Sequence, residues 1–196
     1  MRSIKVSMLT LAAGAILAVS GEAQQAFVGG VNLGVAAPMS TLGDVVKTGG
    51  GGSVFLGRMV NNSFMVKVDA GYWKFSSEEL MLGEGPAFEV DGAVIPIRIG
   101  VRKYWGESKR FYTGPNLGIY IPGGDLDGLD SHFGIGPQVG FRFPVGEGSI
   151  DIVAEFHTIF VGDENPLTDG ERVFFDDDKA SFFTFGLAYT VGSIGN

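Results

Sequence analysis

The chain has two histidines, His132 and His157, and histidine is the side chain best suited to moving protons near neutral pH. Glu155 stands two residues before His157, a spacing that puts both on one face of an extended strand. A carboxylate and an imidazole so placed become an acyl-transfer pair when a serine joins them. No serine lies two or four residues beyond His157. Ser131 adjoins His132 but falls on the opposite face of its strand, a poor geometry for proton transfer. Both histidines therefore read as satisfied interior side chains, and no catalytic residue is expected.

Two other constellations have a chemistry to weigh. Asp125-Leu126-Asp127-Gly128-Leu129-Asp130 holds carboxylates around a glycine, but the further oxygen ligands and distal glutamate of a calcium loop are missing. Asp176-Asp177-Asp178 attracts cations without forming a cage. Gly49-Gly50-Gly51-Gly52 lacks the lysine–serine partner and following helix of a phosphate loop, and reads as a flexible strand entry. No metal, cofactor or nucleotide site is expected.

The third constellation is the set of strand charges Lys67, Asp69, Arg98, Arg102, Arg142, Asp151 and Glu155. Such a set can be a proton path, the lining of a pore, or a network of structural pairs. Which it is depends on the elements that carry it. The clearest of these is 182–191, where Phe183, Phe185, Leu187, Tyr189 and Val191 share one face and Thr184, Gly186, Ala188 and Thr190 the other. Strict alternation marks a β-strand whose two sides meet different media.

The pattern recurs over 27–35, 51–59, 64–73, 93–103, 111–121, 133–143 and 150–159. In the segment 51–59, Val54 and Leu56 compete with Phe55 and Met59 for the apolar face. Pro96 conflicts with its strand and suggests a bulge. Connections alternate long and short, as an up-and-down barrel with one ornamented end requires. All seven charges lie opposite the large apolar residues, four basic against three acidic. A charge withdrawn from bulk water must be paired, and eight strands leave an interior that side chains fill. The expectation is an all-β, eight-stranded antiparallel transmembrane barrel with greasy residues toward lipid and a lumen plugged by the charge network. Tyr72, Trp73, Tyr104 and Trp105, at strand ends, are expected to form interfacial girdles.

Composition agrees. The chain has 196 residues, 32 glycines, 16 phenylalanines and no cysteine, so it suits one domain without disulfides or thiolate chemistry. Residues 1–23 have the form of a cleaved signal peptide: Arg2 and Lys5, an apolar run from Met8 to Val19, and Gly21-Glu22-Ala23 before the cut. Residues 24–196 are then the barrel domain, with 12 basic against 21 acidic residues and a net charge of −9. Sixteen of those acids fall in the long connections. This acidity argues against nucleic acid as a partner.

With the strands placed, the mature chain resembles the small eight-stranded outer-membrane β-barrels of Gram-negative bacteria, the OmpA-type transmembrane domain and OmpX group. The resemblance spans roughly residues 24–191. It includes Thr184-x-Gly186-x-x-Tyr189-x-Val191, which looks like the terminal-strand signal read by the barrel-assembly machinery. What the resemblance implies is an outer-membrane protein without enzymatic activity, a monomer, in contact with outer-membrane lipid and lipopolysaccharide. Its acidic loops would serve envelope integrity or surface interaction, with the extracellular partner unspecified. A narrow porin-like channel for ions or small solutes is the alternative. For the loops, a solvated acidic surface competes with divalent-cation bridging to lipopolysaccharide phosphates.

Overall fold

Every strand of an alternating sequence has two open edges, and this chain pairs both edges of each one. The computed structural model describes residues 27–39, 42–43, 46–77, 79–80, 88–89, 91–124, 130–161 and 179–192. Eight long strands run β1 (Phe27–Met39), β2 (Val46–Met59), β3 (Phe64–Ser77), β4 (Gly92–Trp105), β5 (Phe111–Gly124), β6 (His132–Val145), β7 (Gly148–Phe160) and β8 (Lys179–Val191). Each lies antiparallel to its neighbour in sequence, and β8 pairs with β1 from Gly29↔Val191 to Met39↔Ser181, closing the barrel. A separate two-stranded ribbon pairs Glu79–Leu80 with Phe88–Glu89. Closure removes the open edges that a membrane cannot solvate.

The register sets the bore. Following cross-strand partners once round, Gly29 leads to Leu56, Val68, Ile99, Leu117, Ile135, Thr158, Ser181 and then Met39. The path returns to β1 ten residues above its start. Such a stagger tilts the strands, and eight tilted strands enclose just enough room for side chains. At 13 or 14 residues, each strand exceeds the roughly 9–11 that span a hydrocarbon core.

The faces follow the alternation. Val31, Leu33, Phe133, Phe141, Phe185, Leu187 and Tyr189 stand exposed on the outside, a continuous apolar surface unlike that of a water-soluble domain. Inside, two apolar clusters cap the ends. Trp73, Phe75, Tyr120 and Phe182 fill the end of the long connections, with Phe75 and Phe182 edge to face at 5.5 Å. Phe55, Met59, Met65, Tyr104 and Tyr112 fill the end of the short turns.

One open reading is settled and three expectations need correction. In β2, Val54 (57 % exposed) and Leu56 point out while Phe55 (7 %) and Met59 point in, so the branched aliphatics take the lipid and the aromatic fills the bore. Trp73 and Tyr104 do not join a girdle: both are buried inside, and only Tyr72 and Trp105 are exposed. Neighbours in a strand face opposite ways, so each Tyr-Trp pair sends one ring in and one out. Pro96 causes no bulge. The β3–β4 ladder skips from Ala70↔Ile97 to Trp73↔Val94 without a change of register, because Pro96 lacks the N–H to bond there. The irregularity lies instead in β2, between Lys47 and Gly50.

The glycine run there is strand, not a flexible entry. A Cβ on Gly51 would stand 2.1 Å from the Tyr72 carbonyl oxygen and 3.0 Å from the Trp73 ring, and one on Gly52 would stand 2.4 Å from the Asn32 carbonyl oxygen. The chains approach closely because those side chains are absent. At Gly50 the nearest atom is the Gly34 oxygen at 3.4 Å. We therefore expect Gly51→Val to abolish the compact band that migrates apart from the boiled protein on a gel, and Gly50→Ala to keep it.

Candidate functional site: the interior charge layer

Between the two apolar clusters the inward positions of β3, β4, β6 and β7 carry charge. Asp69 and Arg98 are direct cross-strand partners, as are Arg142 and Asp151. Parity puts these residues on the inner face, and register puts opposite charges side by side.

Arg98 is the hub. Its Nε and Nη2 donate to Asp69 Oδ1 at 2.7 and 2.6 Å, and its Nη1 donates to Glu155 Oε1 at 2.5 Å. Lys67 Nζ takes the other oxygen of Asp69. Asn116 Nδ2 donates to the same Glu155 oxygen as Arg98. The chain of bonds then continues from Gln138 Nε2 to Asn116 Oδ1 at 3.0 Å and from Arg102 Nε to Gln138 Oε1 at 3.0 Å. A cluster linked in this way crosses the bore from β3 to β7.

Glycines make the space. A Cβ on Gly136 would come within 2.8 Å of Glu155 Oε1, and one on Gly100 would overlap the Asn116 amide. A space of about 10 Å³ remains beside Asn32, Ser53, Lys67, Arg102 and Gln138, roughly the room of one water.

The predicted charges do not all join one network. Arg142 Nε donates to Asp151 Oδ1 at 3.3 Å nearer the short-turn end, where Ser149 and Thr190 hydroxyls also reach that carboxylate at 2.7 and 3.4 Å. Arg102 is held by an amide and by rings rather than by a carboxylate: its guanidinium carbon lies 4.5 Å from the Phe55 ring centre and 4.6 Å from that of Tyr112. Two electron-rich faces compensate a desolvated cation.

His157 is fully buried. Its Nδ1 lies 3.1 Å from Arg98 Nη1 and 3.0 Å from the Tyr120 hydroxyl, its Nε2 lies 3.3 Å from the Thr184 hydroxyl, and its ring stacks on Phe182 at 4.2 Å. Thr184, singled out as part of a terminal-strand signal, thus meets the histidine inside the barrel. Gly186 also faces in, while Tyr189 and Val191 face out. Asn116, Gln138 and Tyr120 complete the layer and were not singled out by charge; their inward parity was the signal available. Of the acidic connections, Asp125, Asp127 and 176–178 lie outside the described residues.

These features define a small outer-membrane β-barrel. The family model described as "Outer membrane protein beta-barrel domain" matches residues 7–190, and the chain belongs to that family. Among solved structures, Neisserial surface protein A is similar at 14 % identity with a TM-score of 0.54, over 88 % of this chain and 99 % of that one. The outer membrane protein OprG from Pseudomonas aeruginosa is similar at 13 % identity with a TM-score of 0.51, over 85 % and 95 %. No curated protein matches. The protein resides in the outer membrane.

Removing one partner of a buried charge pair leaves the other uncompensated and costs about 3–5 kcal/mol. Arg98 neutralises two carboxylates, so we expect Arg98→Met to lower stability by at least about that much. Urea unfolding in lipid vesicles, followed by tryptophan fluorescence, measures it.

Proposed function

We propose that the protein is a non-enzymatic outer-membrane barrel with a closed lumen, whose wall anchors long acidic connections that serve envelope integrity or surface interaction. The observation that carries this reading is the hydrogen-bonded chain from Lys67 to Arg102 across the bore. Among the described residues, the apolar clusters on either side of this chain and the small space beside it, about 10 Å³, support a closed lumen. Opening one would mean separating Arg98 from both carboxylates in a medium that stabilises neither charge.

The absence of catalysis is inferred from access. Glu155 Oε1 and both His157 nitrogens are engaged deep in the layer, which supports the reading that they do not act on a substrate. Outer-membrane lipid and lipopolysaccharide are the partners of the wall, a monomer is its assembly state, and the barrel-assembly machinery reads Thr184-x-Gly186-x-x-Tyr189-x-Val191 on β8. Residues 1–23 act as the signal peptide that delivers the chain.

Planar-bilayer recordings test the closed lumen. We expect the refolded protein to give no stable conductance steps, and regular steps above the bilayer baseline would overturn the reading in favour of a narrow channel.

A further inference from the structure

The outer face near the short turns carries an arrangement that the interior does not explain. Lys103 Nζ lies 3.8 Å from the Trp105 ring centre and 5.7 Å from that of Phe64, and the Arg58 guanidinium carbon lies 5.7 Å from that of Phe27. Phe27↔Arg58 and Phe64↔Lys103 are direct cross-strand partners. One arc of wall, from β1 to β4, therefore interleaves cations with aromatic rings on the lipid side. The next turn extends it with Lys109 and Arg110. Lys109 adopts a left-handed backbone (φ 49°), with its N–H on the Gly106 oxygen at 3.3 Å. Glycine or asparagine fits that conformation with less strain, yet a cation occupies it.

The rest of the same rim differs. There the outward residues are Phe141, Phe143, Ile150, Tyr189 and Val191, with no outward lysine or arginine on β6, β7 or β8 at that end among the described residues. An aromatic belt alone suits any bilayer interface. Cations confined to one arc suit a localised negative charge at the depth where rings meet headgroups. Short turns face the periplasm in this class of barrel, so that charge belongs to the phospholipid leaflet.

We propose that Arg58, Lys103 and the Lys109–Arg110 turn form a binding site for the phosphate of an anionic glycerophospholipid, with Phe27, Phe64 and Trp105 packing beside its glycerol and upper acyl chains. Trp105 is steadied for this by its Nε1 bond to the Thr113 hydroxyl at 2.9 Å. The site depends on outer-membrane residence and not on whether the lumen conducts.

The test is native mass spectrometry of the folded protein released from bilayer discs of equal phosphatidylglycerol and phosphatidylcholine. A cation near an anionic lipid surface contributes about a fivefold preference, so the wild type should retain phosphatidylglycerol at least about fivefold over phosphatidylcholine. Arg58→Gln with Lys103→Gln should lower that ratio at least about fivefold while keeping the heat-dependent gel shift. Arg58→Lys with Lys103→Arg should preserve the preference, and so should Lys179→Gln at the opposite rim. Equal retention by the wild type, an unchanged ratio in the double glutamine variant, or an equal loss with Lys179→Gln would overturn the site. If inorganic phosphate at tens of millimolar strips the lipid, the arc is a bare phosphate site and the headgroup assignment fails.

Discussion

A charge moved out of water must meet an opposite charge or a dense set of dipoles, and in this barrel Arg98 meets two carboxylates at once. Most of the interior follows from that requirement. Asp69 can take Arg98 and Lys67 because β3 presents its inward residues in steps of two and β4 runs antiparallel beside it. Glu155 reaches the same guanidinium from the far wall because the bore is narrow and Gly136, next to it, has no side chain. The pairing is cheap only when the barrel is closed: an open sheet would leave the inward face in water, where these ion pairs contribute little. Closure and charge pairing thus support each other.

The two surfaces divide the remaining work. Most phenylalanines among the described residues and many large aliphatics face lipid, where burial in the usual sense is replaced by contact with acyl chains. The inside holds the aromatics that carry a polar atom or fill an end, such as Tyr104, Tyr112, Tyr120 and Trp73. They lie on either side of the charge layer and lend ring faces and hydroxyls to Arg102, Arg142 and His157. Glycine is the counterpart of these large groups: Gly100 admits Asn116, and Gly140 lies beneath Tyr112.

Much of this was legible in the sequence because a strand has a period of two. Parity alone assigned the lipid face, the inner face and all seven charges, and the alternation of long and short connections implied the up-and-down order. What parity could not supply was register. That Asp69 and Arg142 would stand opposite Arg98 and Asp151 depends on how far each strand slides past the next, and local sequence does not encode that slide. The strands also run beyond the expected ends and carry the alternation with them, which puts Trp73 and Tyr104 inside; the missing register is a separate gap. It also explains the glycine run at 49–52, since a need for close approach is visible only once the carbonyls of β1 and β3 are in place. The partners of Arg102, Gln138, Phe55 and Tyr112, sit on three other strands.

Arg98 and its carboxylates form one coupled unit that the closed barrel keeps from water. The most direct measurement is a double-mutant cycle on Arg98→Met and Glu155→Gln, read by urea unfolding in lipid vesicles. Buried hydrogen-bonded partners couple by roughly 0.5–3 kcal/mol, and we expect a value in the upper half of that range, with the double variant more stable than the sum of the single losses implies. Strictly additive losses would mean that the two side chains do not meet, and would contradict that coupling.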